Sequence, residues 1–332
     1  MGQRVSTPPL TGAKARDFIL LAAGAFSLMA AIAAQGGRVS ARLDLLAEFA
    51  PVWLACALLT LALGGLFARG RLRLAVLIIG AAGMLAAGSL IWPEIAHRRS
   101  PPAGPRDGPR ITLIEFNTWD RNADIRQTAA WIGAQHPDLV LIAEAEAPIS
   151  DALAAQGFER IQGIGHVAIF SHAAPGPNPV RISIPQWHEL PPFARATFGA
   201  GEGRYSVFAV HLTRPTLTGA AASRTALTSL LGRYDQRRLI VAGDFNMTPW
   251  SFGLRRFDER IGLERRDLAL FSWPGKLTLG GKALPVLPIL PIDHVYAGAD
   301  WRTVSVKRGP ALGSDHFPVV ATLALTGGAA GP

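Results

Sequence analysis

Polar residues recur at the ends of apolar runs in the last two-thirds of this chain. Asn117 follows IEF, Glu144 follows LVLIA, His211 follows FAV, Asp244 and Asn246 follow LIVAG, Asp293 follows PI, and GSDH supplies Asp315 and His316. A polar group at the end of a buried strand is held by a rigid scaffold and still meets solvent, which suits binding and catalysis. The set comprises four carboxylates, two carboxamides and two imidazoles. Oxygen and nitrogen donors without a thiolate suit a hard divalent cation, Mg²⁺ or Mn²⁺. The one cysteine, Cys56, lies far upstream and can form no intrachain disulfide, and zinc-finger spacing is absent. A lone Asn after a strand is usually a turn residue, and a lone Asp-His pair is usually a solvated loop. The inference rests on the ordered set.

The elements that must position these groups read as strands at Ile111–Phe116, Leu139–Ala143, Val167–Phe170, Tyr205–Val210, Leu239–Val241, Ile292–Tyr296 and Val319–Leu323, with helices at Asp124–Gln135 and Ala220–Leu231. Several of these strands are apolar throughout, which predicts a mixed α/β domain with strands buried on both faces.

The first third has a different character. Of 332 residues, 49% are hydrophobic and 17% charged, with mean hydropathy +0.24. These values exclude a disordered chain, a collagen or a small disulfide scaffold, and the low charge points to residues in lipid. Three charge-free runs, Phe18–Gly37, Phe49–Ala68 and Leu74–Pro93, are each 20 residues long. About 20 apolar residues carry a helix across a ~30 Å hydrocarbon core. A signal peptide explains only the first run. Glycines 24, 64, 65, 80, 83 and 88 suit close helix packing in lipid. The expected organisation is a membrane segment over 1–97, a Pro/Gly-rich linker over 98–109, a catalytic domain over 110–326 and a tail over 327–332. Arg69, Arg71 and Arg73 fill the second loop, which places that loop and the N-terminal Arg4, Lys14 and Arg16 in the cytoplasm and the catalytic domain outside. Arg98, Arg99, Arg38 and Arg42 oppose that orientation.

GDFN (Gly243–Asn246) and GSDH (Gly313–His316), with the groups around Asn117, Glu144, His211 and Asp293 in order, resemble the endonuclease/exonuclease/phosphatase superfamily of DNase I-like proteins. The resemblance spans Arg110 to Leu325. It implies a four-layer α/β sandwich of two packed sheets flanked by helices, and a Mg²⁺-dependent hydrolase of phosphoester bonds, with Mn²⁺ an alternative metal. It assigns Glu144 as the metal anchor, supported by Asn117 and Asp315. The residue before that glutamate is usually Gln in the family and is Ala143 here, and Glu146 competes for the role. Asp244 would orient or deprotonate the attacking water, Asn246 would bond a phosphoryl oxygen, and His316 would contact the phosphate with Asp293 on its other ring nitrogen. His211 would be a second phosphate contact or an acid near the leaving group. His97, His136, His166, His172, His188 and His294 read as structural or exposed.

These motifs name the bond and leave the substrate open. Three spans before such a domain resemble bacterial membrane-bound members, including a subgroup associated with glycopeptide-antibiotic resistance. That likeness implies a multi-pass inner-membrane protein facing a lipid or cell-envelope phosphoester. The apolar run Ala283–Pro291 is either an edge-strand approach or a hydrophobic rim formed by Leu284, Val286, Leu287, Ile289 and Leu290. The alternatives are a tethered nuclease and a non-catalytic receptor. A nuclease needs several Lys/Arg contacts to a phosphate backbone. Arg237/Arg238, Arg255/Arg256 and Arg265/Arg266 alternate with acids and read as a solvated helical face. Residues 1–100 hold 10 Lys+Arg and 4 Asp+Glu, a net of +6, against 23 and 20, a net of +3, in the rest. Most of the +9 net charge therefore belongs to the membrane segment and its flanks.

Overall fold

The computed structural model describes residues 12–97, 100–104, 107–176, 187–279 and 282–326. Arg4, Arg98, Arg99, the 327–332 tail and part of the linker lie outside these, as does the Lys14 side chain. Two units are distinguished, Met1–Ile95 with Trp250–Phe252, and Ala96–Pro249 with Gly253–Pro332.

The first unit is helical: α1 (Gly12–Gln35), α2 (Ala41–Ala47), α3 (Ala50–Phe67) and α4 (Gly70–Ala96). Three segments, Ala15–Arg38, Ala50–Phe67 and Gly70–Ala96, are long and apolar enough to cross a membrane. Side-chain hydroxyls and amides in this unit bond backbone carbonyls, as Ser27 Oγ does with Trp53 O at 2.8 Å and Gln35 Nε2 with Ala86 O at 3.1 Å. Gly24 lies against Thr60, Gly64 against Val76, and Gly80 against Leu61, whereas Gly65 and Gly88 face open space.

The second unit contains β1 (Arg110–Asn117), α5 (Ile125–Ala134), β2 (Leu139–Ala143), α6 (Ala147–Ala154), β3 (Glu159–Gln162), β4 (Val167–Ser171), β5 (Phe193–Phe198), β6 (Tyr205–His211), α7 (Ala220–Leu231), β7 (Leu239–Asp244), α8 (Phe252–Ile261), β8 (Glu264–Arg265), β9 (Lys276–Leu279), β10 (Lys282–Pro285), β11 (Asp293–Ala297), β12 (Trp301–Arg308) and β13 (Val319–Leu325). Its two large sheets run β12-β13-β1-β2-β4-β3 and β5-β6-β7-β11-β8. Leu113, Leu141 and Ile169 of the first sheet meet Val207, Ile240 and Val295 of the second in one apolar core. On the outer faces, Ile114 and Phe116 pack with Ile132 and Ile149 of α5 and α6, while Phe208 and Val241 pack with Leu227 and Phe257 of α7 and α8. The result is the four-layer sandwich.

All seven strands expected from the sequence are interior members of the two sheets. Each sheet edge is a strand the apolar pattern did not reveal: β12, β3, β5 and β8. Edge strands meet water along one side and carry charged residues, as in WRTVSVKR of β12. The expected solvated helical face breaks at β8. Arg265 lies on that strand and Arg266 follows it directly, with side chains only 9% and 1% exposed, and they pair with Asp258, Asp267 and Glu264.

Candidate active site

Two strand–helix–strand units deliver most of the candidate residues. β1 passes through α5 to its parallel neighbour β2, setting Asn117 beside Ala143, and β6 passes through α7 to β7, setting His211 beside Asp244. The antiparallel β7–β11 ladder sets Asp293 opposite Asp244. Gly243 is required for this arrangement. Its φ is +156°, and a Cβ there would stand 1.8 Å from the Val210 carbonyl oxygen.

His316 lies between two carboxylates. Its Nδ1 is 2.9 and 3.1 Å from the oxygens of Asp293, and its Nε2 is 3.7 Å from Asp244 Oδ2. His211 Nε2 approaches that same Asp244 oxygen at 3.5 Å. Asn117 Nδ2 donates to Asp244 Oδ2 at 3.1 Å and to Glu144 Oε1 at 3.2 Å. Glu144 Oε2 accepts from Asp120 N at 2.9 Å, and Ser314 Oγ donates to Asn117 O at 2.7 Å while accepting from His316 N at 3.0 Å. Asn246 closes a turn by donating its backbone N–H to Asp244 Oδ1 at 2.8 Å, and its side-chain amide is anchored on Leu212 O at 2.9 Å.

Asn117, Glu144, His211, Asp244, Asn246, Asp293 and His316 thus form one network. Asp315 stands apart from it: Oδ2 accepts from Trp273 Nε1 at 3.1 Å, and Oδ1 is buried without a partner. Glu144 and Glu146 both line the cleft beside this network, but only Glu144 is bonded to Asn117. Glu144 has φ +55°, and Glu146 pairs with His166, another cleft residue, at 2.8 Å. Trp119 (φ +58°) and Asn246 (φ +52°) also occupy the left-handed region at strand ends. Such conformations persist where surrounding contacts over-determine them, and they cluster at functional sites.

Burial pulls the His316 imidazole down, but Asp293 and then Asp244 outweigh it and raise the group to about 10. The ring is therefore an imidazolium at neutral pH and donates from Nδ1 to Asp293. Burial raises the Asp244 carboxyl, and the His316 charge opposes that rise. His294 is structural: its ring is held at 2.8 Å from Asp267 and 2.9 Å from Met247 O, and both partners are acceptors.

The donor set fits a hard cation. Carboxylate oxygens of Asp244 and Asp293 lie within 4.8 Å of one another beside the His316 ring, and Glu144 adds a carboxylate at the cleft. Asn117 directs Nδ2 rather than Oδ1 at both carboxylates, so it acts here as a donor that orients them.

Glu144 and His211 open onto a cleft of about 550 Å³ that Trp119, Arg121, His166 and Arg214 also line. Lys276 lies over the Trp119 ring at 4.2 Å and bonds Gly313 O. The sequence reading did not include Trp119, Arg121, Arg214, Ser314 or Lys276. Trp119, Arg121 and Arg214 are signalled only by position, since NTWDR and HLTRP continue directly from Asn117 and His211, and Ser314 lies within GSDH, whereas Lys276 has no such signal.

A sequence profile of the Endonuclease/Exonuclease/phosphatase family matches residues 114–316, more than half of the chain. The chain belongs to this family. Its members are hydrolases that act on phosphoester bonds. No match is found among curated protein sequences. Among solved structures, the endonuclease/exonuclease/phosphatase from Bacteroides vulgatus is 16% identical, with a TM-score of 0.51, covering 65% of this chain and 99% of its own. The endonuclease/exonuclease/phosphatase from Beutenbergia cavernae is 20% identical, with a TM-score of 0.49, covering 66% and 72%. Sphingomyelinase C from Streptomyces griseocarneus is 18% identical, with a TM-score of 0.45, covering 64% and 99%. At these identities the likeness is one of fold.

Proposed function

We propose that this protein is a membrane-tethered, divalent-metal-dependent phosphoesterase that hydrolyses a phosphate ester or pyrophosphate of a lipid or other cell-envelope substrate. The observation that carries the reading is the row Asp244–His316–Asp293, joined through Asn117 to Glu144 and through Asp244 to His211 beside a cleft with two guanidinium groups. In this reading Asp244 orients a water and takes its proton as the new P–O bond forms and the ester P–O bond breaks. The imidazolium of His316 neutralises a phosphoryl oxygen, and Asp293 holds its ring in place. Asn246 keeps its second amide N–H for the same oxygens. His211 serves the leaving group, and Arg214 and Arg121 receive further negative charge along the cleft. Glu144, supported by Asn117, and Asp315 are the proposed holders of Mg²⁺ or Mn²⁺. When bound, the cation polarises the phosphoryl group and lowers the pKa of water.

Two features support a lipid. The chain carries three helices fit to span a membrane, and tethering raises the effective concentration of substrates in the bilayer. The β9–β10 hairpin and the segment after it expose Leu277, Leu279, Leu284, Leu287 and Ile289, whereas Leu290 is buried. The hydrophobic rim therefore draws on both hairpin strands and excludes Leu290. Five exposed leucine and isoleucine side chains within one hairpin and its continuation are more than the singly scattered apolar residues of an ordinary surface. We place the catalytic domain on the extracytoplasmic side of the bacterial inner membrane, from the basic loop at Arg69, Arg71 and Arg73.

The nuclease reading loses support at the paired arginines. Arg237 and Arg238 both bind Asp300, at 2.5 and 3.1 Å, and Arg266 Nη2 donates to Ala297 O and Gly298 O. These cations are engaged within the fold. The test offers purified protein in detergent with Mg²⁺ a polyprenyl pyrophosphate, a phospholipid panel and supercoiled plasmid, with Asp244→Ala and His316→Ala as controls. Phosphate release from a lipid that both substitutions abolish is the expected result. Plasmid nicking that both abolish makes the protein a nuclease, and inactivity on every substrate makes it a receptor.

A further inference from the structure

The hydrolytic scheme leaves one aromatic side chain at the cleft unused. Trp119 lies two residues beyond Asn117 and lines the cleft with Glu144, His211 and Arg214. Every other lining residue except Pro192 carries an ionisable side chain, so the indole is the larger of two apolar surfaces there. The backbone of Trp119 has φ +58°, a costly conformation for so bulky a residue, and one that persists only where neighbours hold it. A tryptophan that merely filled space would be buried in an ordinary conformation, whereas this one is half-buried at the wall of a cleft.

Its neighbours do hold it. Trp119 N donates to Asn117 Oδ1 at 3.0 Å, Asn122 N donates to Trp119 O at 3.0 Å, and Asp120 N donates to Glu144 Oε2 at 2.9 Å. Lys276, the first residue of β9, grips the ring from a distant part of the chain. Its ammonium stands 4.2 Å from the centre of the Trp119 ring, where the π face attracts it, and it also donates to Gly313 O in the turn that carries Ser314 and His316. Gly275 N ties the same stem to that turn by donating to Asp315 O at 2.6 Å. Lys276 is not a lining residue, so the ring is gripped from outside the cleft.

On the hydrolytic reading of this site, we propose that Trp119 is a specificity-determining residue whose indole is the wall for the hydrocarbon part of the leaving group, and that Lys276 is the positioning residue that holds it there. The gain from such a contact grows with the apolar area laid on the ring. Asp120, Glu144 and Glu146 line the cleft beside the ring. Three carboxylates there repel a nucleic-acid strand that would run on past the scissile phosphate, and an uncharged hydrocarbon meets no such repulsion.

The test gives the full chain, in detergent with Mg²⁺, a series of soluble phosphoesters that differ only in the length of the leaving alkyl group. Wild-type kcat/KM should rise along the series by about tenfold, mainly through KM. Trp119→Gly removes the ring and suits a φ of +58°, and its loss should be greatest on the longest member, which flattens the rise. Lys276→Met should flatten it in part, and Lys276→Arg, which returns a cation to the ring, should recover it. Equal losses of Trp119→Gly on every member, or a rise that survives it, overturns the proposal. Binding is a second readout. A brominated alkyl phosphonate should quench the fluorescence of the wild type more than that of Trp119→Phe. Equal quenching of the two overturns the contact, and Trp119-dependent quenching by a nucleoside monophosphate instead makes the wall a seat for a base and overturns the ligand class. A wild type that hydrolyses nothing yet shows Trp119-dependent quenching by the phosphonate fails the functional reading alone, and one that hydrolyses the series without a rise fails this inference alone.

Discussion

Asp293 faces Asp244 across the β7–β11 ladder, and the ring of His316 lies between their carboxylates. Two buried acids this close repel one another unless a positive charge separates them, so the charge of this imidazole is a condition of the local fold as well as of the chemistry.

Stability should therefore fall at alkaline pH. The His316 pKa rises from 6.5 to about 10 on folding. Its contribution is complete below the unfolded value and is lost as pH climbs through the folded one. Tm of the full chain in detergent should decline between pH 7 and 10, and Asp293→Asn should flatten that decline while lowering turnover by about 10² to 10⁴. A wild-type profile without an alkaline decline would refute the charged state.

Gly243→Ala should be strongly destabilising, by about 3 kcal/mol or more, because its Cβ would meet the Val210 carbonyl oxygen at 1.8 Å. Gly203, with nothing within 4 Å of its ideal Cβ, is the control and should tolerate alanine. Denaturant unfolding of both variants checks the contrast, and equal midpoints would sink it.

Polar replacement of the most exposed hairpin leucines should separate lipid from soluble substrates. Leu279 is 63% and Leu287 85% exposed. Each buried leucine is worth about 1.5–3 kcal/mol in an apolar medium. Leu279→Asp with Leu287→Asp should therefore lower turnover of vesicle-borne substrate by about tenfold or more, with a soluble phosphoester unchanged. Matching losses on both substrates would assign the hairpin a structural role instead.

The interior of the fold was legible in the sequence because a strand buried on both faces must be apolar throughout, as Leu139–Ala143 and Leu239–Val241 are. The polar groups that end such strands stood out for the same reason. The edges were not legible: β5 carries Arg195 within FARATF, and β8 has two residues. The network around Asp244 depends on register, which pairs residues far apart in sequence, and register leaves no local mark. Glu115 of β1, which is fully buried, was hidden differently. A lone acid within an apolar strand reads as a solvent-facing position, and only the packing of the second sheet reveals that no solvent is there.

The candidate network draws on both sheets, and its last member, His316, precedes β13, which is hydrogen-bonded to β1. The first strand of the domain must therefore wait for the last. A nascent chain emerging from the ribosome cannot assemble the Asp244–His316–Asp293 row until the segment that carries His316 has followed.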